Sequence, residues 1–325
     1  MEYTSGNIRM WSRLGASGAF GAAALELGEE RENMVLLSAD MAYASGLERF
    51  KAKYPGRHYS VGIAEQNLVG MAAGMASESF IPYATTYATF FAMRAMDQIK
   101  MCLGYMRQNV KLVGLLSGFG AGILGPTHMA VEDLAVMRAI PNITILSPAD
   151  GMETVKALLA AADINGPVYI RMPGGLNLPI VYKEDYAFSP GRAICLKKGE
   201  DVSIFATGTM VYFALQAATL LEQESISAAI YNMHTIKPLD LAAIDEAAKN
   251  TKLLISVEEH SVLGGLGGAI AEHLSAKKNM PLLLRLGVKD EYPHAGNYES
   301  LLAACGLTAE GIKNKISKTY EELYA

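Results

Sequence analysis

Cysteine is scarce. The chain has only Cys102, Cys195 and Cys305 in 325 residues, far apart and with no Cys-x-x-Cys pair. That count excludes a disulfide framework and a cysteine zinc site, and it suits a reducing compartment. Charge of either sign is thin: 28 Lys and Arg face 33 Asp and Glu, a net −5 at pH 7, with no basic run. Nucleic acid is therefore not an expected partner. No apolar run reaches the roughly 20 residues that a membrane span requires. Residues 1–13 are polar and mixed in charge, unlike a signal peptide. A soluble, cytoplasmic protein is expected, with no membrane partner. The six histidines show no His-Glu-x-x-His spacing, and no nucleophile elbow is present. Gly118-Phe119-Gly120-Ala121-Gly122 lacks the lysine and hydroxyl of a P-loop and misses the dinucleotide spacing. Gly264-Gly265-Leu266-Gly267-Gly268 lacks that lysine too, and tight strand-to-helix turns explain both stretches at least as well.

What the chain does have is apolar residues, 51% against 19% charged. It should bury a large core and an obligate interface as well, and its length points to two domains. Residues 16–29 carry apolar residues at helical spacing, and 34–37 read as a buried strand ending at Ser38-Ala39-Asp40. Further strands are expected at 57–61, 81–86, 110–116, 143–146 and 168–171. A helix follows Tyr87, another begins near Met129, and another opens at Pro148-Ala149-Asp150. Alternation of this kind predicts a mainly parallel sheet covered on both faces. The polar stretch 183–198 reads as a linker. Strands then recur at 202–206, 228–231, 253–257 and 282–286, with helices at 211–223, 238–248 and 269–276 between them. The expected fold is α/β, two doubly wound domains at 1–182 and 199–325.

Glu65 stands where a strand gives way to a helix rich in small residues, Gly70, Ala72, Ala73, Gly74 and Ala76. A carboxyl there faces desolvation as packing closes, which favours its protonated form and makes it a place to hold a proton. A helix-start residue that only complements the helix dipole is the plainer alternative.

Five motifs occur in one order: Gly62-Ile63-Ala64-Glu65-Gln66, Gly125-Pro126-Thr127-His128, Pro141-Asn142 through Ser147-Pro148-Ala149-Asp150, Ile236-Lys237-Pro238-Leu239-Asp240, and Val257-Glu258-Glu259-His260 with its following glycines. Together they resemble the carboxyl-terminal two thirds of a transketolase, and the same region of deoxyxylulose-phosphate synthase. The resemblance implies a thiamine diphosphate enzyme with a pyrimidine-binding domain followed by a smaller carboxyl-terminal domain. It gives Glu65 the role of the catalytic glutamate that hydrogen-bonds a ring nitrogen of the aminopyrimidine. Phe90 falls where the family stacks an aromatic on that ring, with Tyr87 as a second wall and Phe91 as the alternative if the register slips by one. His128 matches a histidine that reaches substrate hydroxyls. Asp40 lies where family members approach the cofactor from a strand end, although Asp after a strand is also a routine turn residue.

In that family Mg²⁺ and the pyrophosphate are held by another domain through a Gly-Asp-Gly motif, which this sequence lacks. The resemblance therefore implies a separate pyrophosphate-domain subunit as partner. It also implies homodimerisation into a heterotetramer, with residues 68–76 at a protomer contact. The family's substrate-reading His and Asp fall on Leu116 and Leu124, and its phosphate-reading arginines on Gly18 and Gly175. Arg171 could instead receive an anionic group, as in the synthase relatives, or serve as a linker ion pair. The implied reaction moves a two-carbon ketol unit from a ketose to an aldose, with a sulfosugar or a branched sugar phosphate among the candidate substrates. The alternatives are a subunit resembling the synthase or decarboxylating a 2-oxo acid, and a non-catalytic scaffold.

Overall fold

The computed structural model describes residues 1–324. Twelve strands run in chain order: β1 Met34–Ser38, β2 His58–Ser60, β3 Ile81–Tyr87, β4 Lys111–Ser117, β5 Thr144–Leu146, β6 Val168–Pro173, β7 Ile194–Lys197, β8 Val202–Ala206, β9 Ala228–Asn232, β10 Thr235–Lys237, β11 Leu253–Ser261 and β12 Leu282–Val288. They form a seven-stranded sheet ordered β10-β5-β6-β4-β3-β1-β2 and a five-stranded sheet ordered β12-β11-β8-β9-β7. Each is parallel except at one edge, where β10 runs antiparallel to β5 and β7 antiparallel to β9. The expected α/β architecture of two mainly parallel sheets is what the chain adopts. β1, β6 and β8 are buried along their whole length, the signature of strands covered on both faces. No helix among the described residues is long and apolar enough to cross a membrane.

Helix positions depart from the periodicity where tertiary contacts intervene. The first helix spans Ser5–Glu30 but breaks at Gly15, which has φ 71°. A Cβ there would lie 2.1 Å from the carbonyl oxygen of Gly175, so the close approach of the two segments requires glycine. The helix expected near Met129 begins only at Asp133 and runs to Ala139. Residues before it form a turn and an isolated bridge instead, where Gly118 and Ala130 exchange backbone hydrogen bonds of 2.9 and 3.0 Å. The segment read as a linker, 183–198, contains β7. β10 adds a strand from the second half of the chain to the first sheet, and its neighbour His234 accepts a 2.8 Å hydrogen bond from the Ser147 amide.

The two halves are also joined by Glu258-Glu259-His260 on β11. Glu258 accepts from the amides of Leu266 and Gly267 at 2.6 and 2.8 Å, at the start of the helix Leu266–Ser275, which satisfies donors that a helix start leaves free. Glu259 accepts from the Phe119 amide at 2.5 Å and from the hydroxyls of Thr209 and Tyr298 at 2.6 and 2.5 Å. His260 Nδ1 lies 2.7 Å from the Ser261 carbonyl, and its Nε2 accepts from the Ala135 amide at 3.3 Å. That pairing needs a neutral ring with its proton on Nδ1. Burial, the main cause, lowers His260 to about 4.

The unfolded chain takes up this proton as pH falls below about 6.5, whereas the folded chain refuses it until about 4. Stability tied to His260 is therefore present above the unfolded value and is lost progressively as pH drops through that window. Urea titrations of the wild type and His260→Asn at pH 7 and pH 4 should show the wild type's advantage shrinking by up to about 3 kcal/mol. A constant gap would mean that His260 is not held neutral.

Candidate active site

Glu65 is the first residue of the helix Glu65–Ser77 and is 2% exposed. The chain reaches it through Gly62, at φ 72°. Thr86, near the end of β3, donates to Glu65 Oε1 over a long 3.4 Å. Arg94 Nη1 donates to Oε2 at 2.8 Å. A buried carboxylate requires such a partner, since an unpaired charge in the interior is costly. Burial is as read from the sequence, and the structure adds Arg94 as a partner that the sequence reading did not include.

After β3 the chain turns into a wide-turn helical segment, Phe90–Arg94. Phe90 and Arg94, four residues apart, meet: the guanidinium carbon lies 4.1 Å from the Phe90 ring centroid. Tyr87, Phe90 and His128 form an aromatic cluster, with centroid separations of 5.5 Å for Tyr87–Phe90, 5.8 Å for Tyr87–His128 and 5.4 Å for Phe90–His128. His128 Nδ1 lies 2.9 Å from Thr127 Oγ1. Asp40 follows β1 at φ 58°, in the left-handed region that Asp tolerates better than most residues.

One cavity of about 300 Å³ is lined by Glu65, Tyr87, Phe90, Arg94, His128 and Asp40, among others. The structure thus brings together five of the residues singled out from the sequence: Glu65, Tyr87, Phe90, His128 and Asp40. Phe91 does not join them. It is fully buried in the core with Leu68 and Leu134, because the turn after β3 points Phe90, not its neighbour, at the cavity. Sequence reasoning missed Arg94 and Thr86 as members of the site. The signal for Arg94 was its spacing of four residues from Phe90. The cavity offers flat aromatic walls and a buried carboxyl able to hydrogen-bond a ring nitrogen, which suits a flat heteroaromatic ring. Among the described residues, no group of three or more His, Cys, Asp or Glu is placed to hold a metal ion.

Arg171 also lies apart from the cavity. It is 4% exposed on β6, and its Nε donates to both oxygens of Asp133, at 3.1 and 2.9 Å. Its Nη2 donates to the carbonyls of Ala130 and Glu259, each at 3.0 Å. Asp133 accepts in addition from the Tyr169 hydroxyl at 2.7 Å. Arg171 therefore fastens the loop that carries His128 and does not present a free cation to an anion. Strand-end position made it look available, but its carboxylate partner lies 38 residues away in sequence.

Two families of domains match the chain, the transketolase pyrimidine-binding domain over residues 13–177 and the transketolase C-terminal domain over residues 191–312. The chain belongs to the transketolase family and comprises these two of its domains. It is 39% identical over 290 residues to a 6-deoxy-6-sulfo-D-fructose transketolase subunit from Clostridium sp. (strain MSTE9), covering 89% of each chain. It is 37% identical to an apulose-4-phosphate transketolase subunit from Phocaeicola vulgatus, covering 90% of this chain and 94% of that one. A 1-deoxy-D-xylulose-5-phosphate synthase from Carboxydothermus hydrogenoformans is 37% identical, but there 96% of this chain spans 50% of the relative. Among solved structures, the inactive beta4 tetramer of a split-gene transketolase superposes with a TM-score of 0.85 at 39% identity, covering 95% of this chain and 98% of that one. The chain thus matches split-transketolase subunits nearly end to end.

Replacing Arg171 by Met should cost about 3–5 kcal/mol of stability by leaving Asp133 buried without its partner. Combining it with Asp133→Leu should recover a large part of that loss. Denaturant titration of the single and double variants measures both. A near-neutral single variant would show that the pair is not what holds this region.

Proposed function

We propose that this chain is the C-terminal subunit of a split, thiamine diphosphate-dependent transketolase. It moves a two-carbon ketol unit from a ketose to an aldose together with a separate subunit that carries the pyrophosphate-binding domain and Mg²⁺. The observation that carries this reading is the convergence of Glu65, Tyr87, Phe90 and His128 on one cavity. Thiamine diphosphate, when bound, supplies the electron sink needed to break a carbon–carbon bond beside a carbonyl. Glu65 holds a proton at the ring nitrogen of the aminopyrimidine. Its Oε1 is the oxygen left for that task, since Oε2 is engaged by Arg94 and the Thr86 contact is long. Phe90 and Tyr87 supply flat apolar walls, Asp40 closes the strand-end side, and His128 offers a ring nitrogen to a substrate hydroxyl.

The substrate we favour is a modified ketose, such as a sulfosugar or a branched sugar phosphate, as with the two transketolase relatives. Leu116, Leu124, Gly18 and Gly175 stand where sugar-phosphate transketolases carry polar and cationic readers, and Arg171 is committed elsewhere. Assembly into a heterotetramer is supported by the exposed face of the helix Glu65–Ser77. There Gly70 and Gly74 meet nothing within 4 Å and Met71 is 37% exposed.

The test is reconstitution with a partner chain bearing Gly-Asp-Gly, followed by assay with ketose donors and with pyruvate. Ketose turnover is expected, and Glu65→Gln should reduce it by about 10²–10⁴-fold, the usual worth of a positioned proton-transfer group. Turnover of pyruvate alone would replace this reading by a synthase-like one. An active complex indifferent to Glu65→Gln would make the chain a scaffold.

A further inference from the structure

Phe90 and Arg94 also wall a second cavity of about 590 Å³, together with Thr127, Glu132 and Tyr292. Its size lies within the roughly 300–1,000 Å³ of small-molecule clefts. Tyr292 belongs to the second half of the chain, just beyond β12, and is 66% exposed. Its hydroxyl donates to Glu132 Oε1 at 3.1 Å, while Glu132 Oε2 accepts from the Val131 amide at 2.9 Å. The carboxylate beside it raises Tyr292 above the ordinary phenol value, so the phenol keeps its proton and points it at Glu132. Its oxygen lone pairs then remain as acceptors for a ligand hydroxyl, and the carboxylate adds further acceptor capacity.

Charge decides what this lining can take. Arg94 is the one cation among the residues lining it, and that cation is already paired with Glu65 at 2.8 Å. Glu132 is a carboxylate with no salt-bridge partner among the described residues. A phosphate or sulfonate placed here would face that carboxylate without a free counter-charge, whereas a chain of hydroxyls would find acceptors. We propose that this cavity receives an uncharged, hydroxyl-bearing part of the sugar, and that Glu132 and Tyr292 are the residues that select it. The inference rests on the transketolase reading above and deepens it. An anionic group on the same substrate is then held outside this cavity.

The test uses the reconstituted pair, with D-erythrose and D-erythrose 4-phosphate as acceptors. Tyr292→Phe should raise KM for erythrose about 3–10-fold, the worth of one hydrogen bond, with kcat little changed, as expected when binding alone is lost. Glu132→Gln should shift the ratio of kcat/KM toward the phosphorylated acceptor by about tenfold, because it removes the repelling charge. Circular dichroism and thermal midpoints of both variants exclude misfolding as the cause. If the wild-type pair turns over and neither variant moves KM or the ratio, the subsite is overturned while the transketolase reading stands. If the wild-type pair turns over no sugar at all, that reading falls and takes this inference with it.

Discussion

Much of this structure depends on one buried ion pair, Arg171 with Asp133. Taking both charges out of water costs several kcal/mol per ion, and only a full set of hydrogen bonds offsets it. The chain supplies much of that set from widely separated places. Asp133 takes a second donor from Tyr169, and Arg171 sends its Nη2 hydrogens to the carbonyls of Ala130 and Glu259. Satisfying the pair therefore fixes the loop before Asp133 and the strand β11 in one arrangement. That loop carries His128, whose ring meets Tyr87 and Phe90. The geometry of the cavity around Glu65 is thus set in part by a residue that does not line it.

The second half of the chain belongs to the same construction. Glu259 takes the Phe119 amide, and at Gly118 a Cβ would lie 2.2 Å from the Glu259 carboxylate, so the glycine there is required by a partner from the other sheet. His260 reaches the helix that begins at Asp133, and β10 extends the first sheet. Three consecutive residues on one strand thereby cap a helix, pin a loop and tie two units together. Their spacing in sequence reads as a motif, yet the function of Glu258, Glu259 and His260 is architectural. With Tyr292 bonded to Glu132, the smaller unit also reaches a cavity next to the site.

Local signals make Glu65 legible in the sequence: a strand end, a glycine, then a helix rich in small residues. The sheets are legible too, because strands buried on both faces are continuous apolar runs. What fails to show is non-local. A free Arg171 and a paired one look identical in sequence when the carboxylate lies on another element. β10 is three residues long and antiparallel, too short to carry a period. The choice between Phe90 and Phe91 needs the angle at which β3 hands over to the turn, and a one-residue change of register moves either ring from core to cavity. Arg94 is within reach of sequence reasoning, since it follows Phe90 by one helical turn, but nothing local says that its guanidinium should meet a carboxylate 29 residues earlier.

Arg94 is where the two cavities become a single electrostatic problem. Its one positive charge compensates Glu65 and forms part of both walls. Removing it would leave Glu65 buried without its partner and would also make the lining beside Glu132 more acidic. A variant at Arg94 therefore changes proton holding and ligand selection together and cannot separate them. Glu132 and Tyr292 touch only the second cavity, and Glu65 lines only the first. The division of labour between activating a cofactor and choosing a sugar is consequently readable at those residues, while the cation between them couples the two.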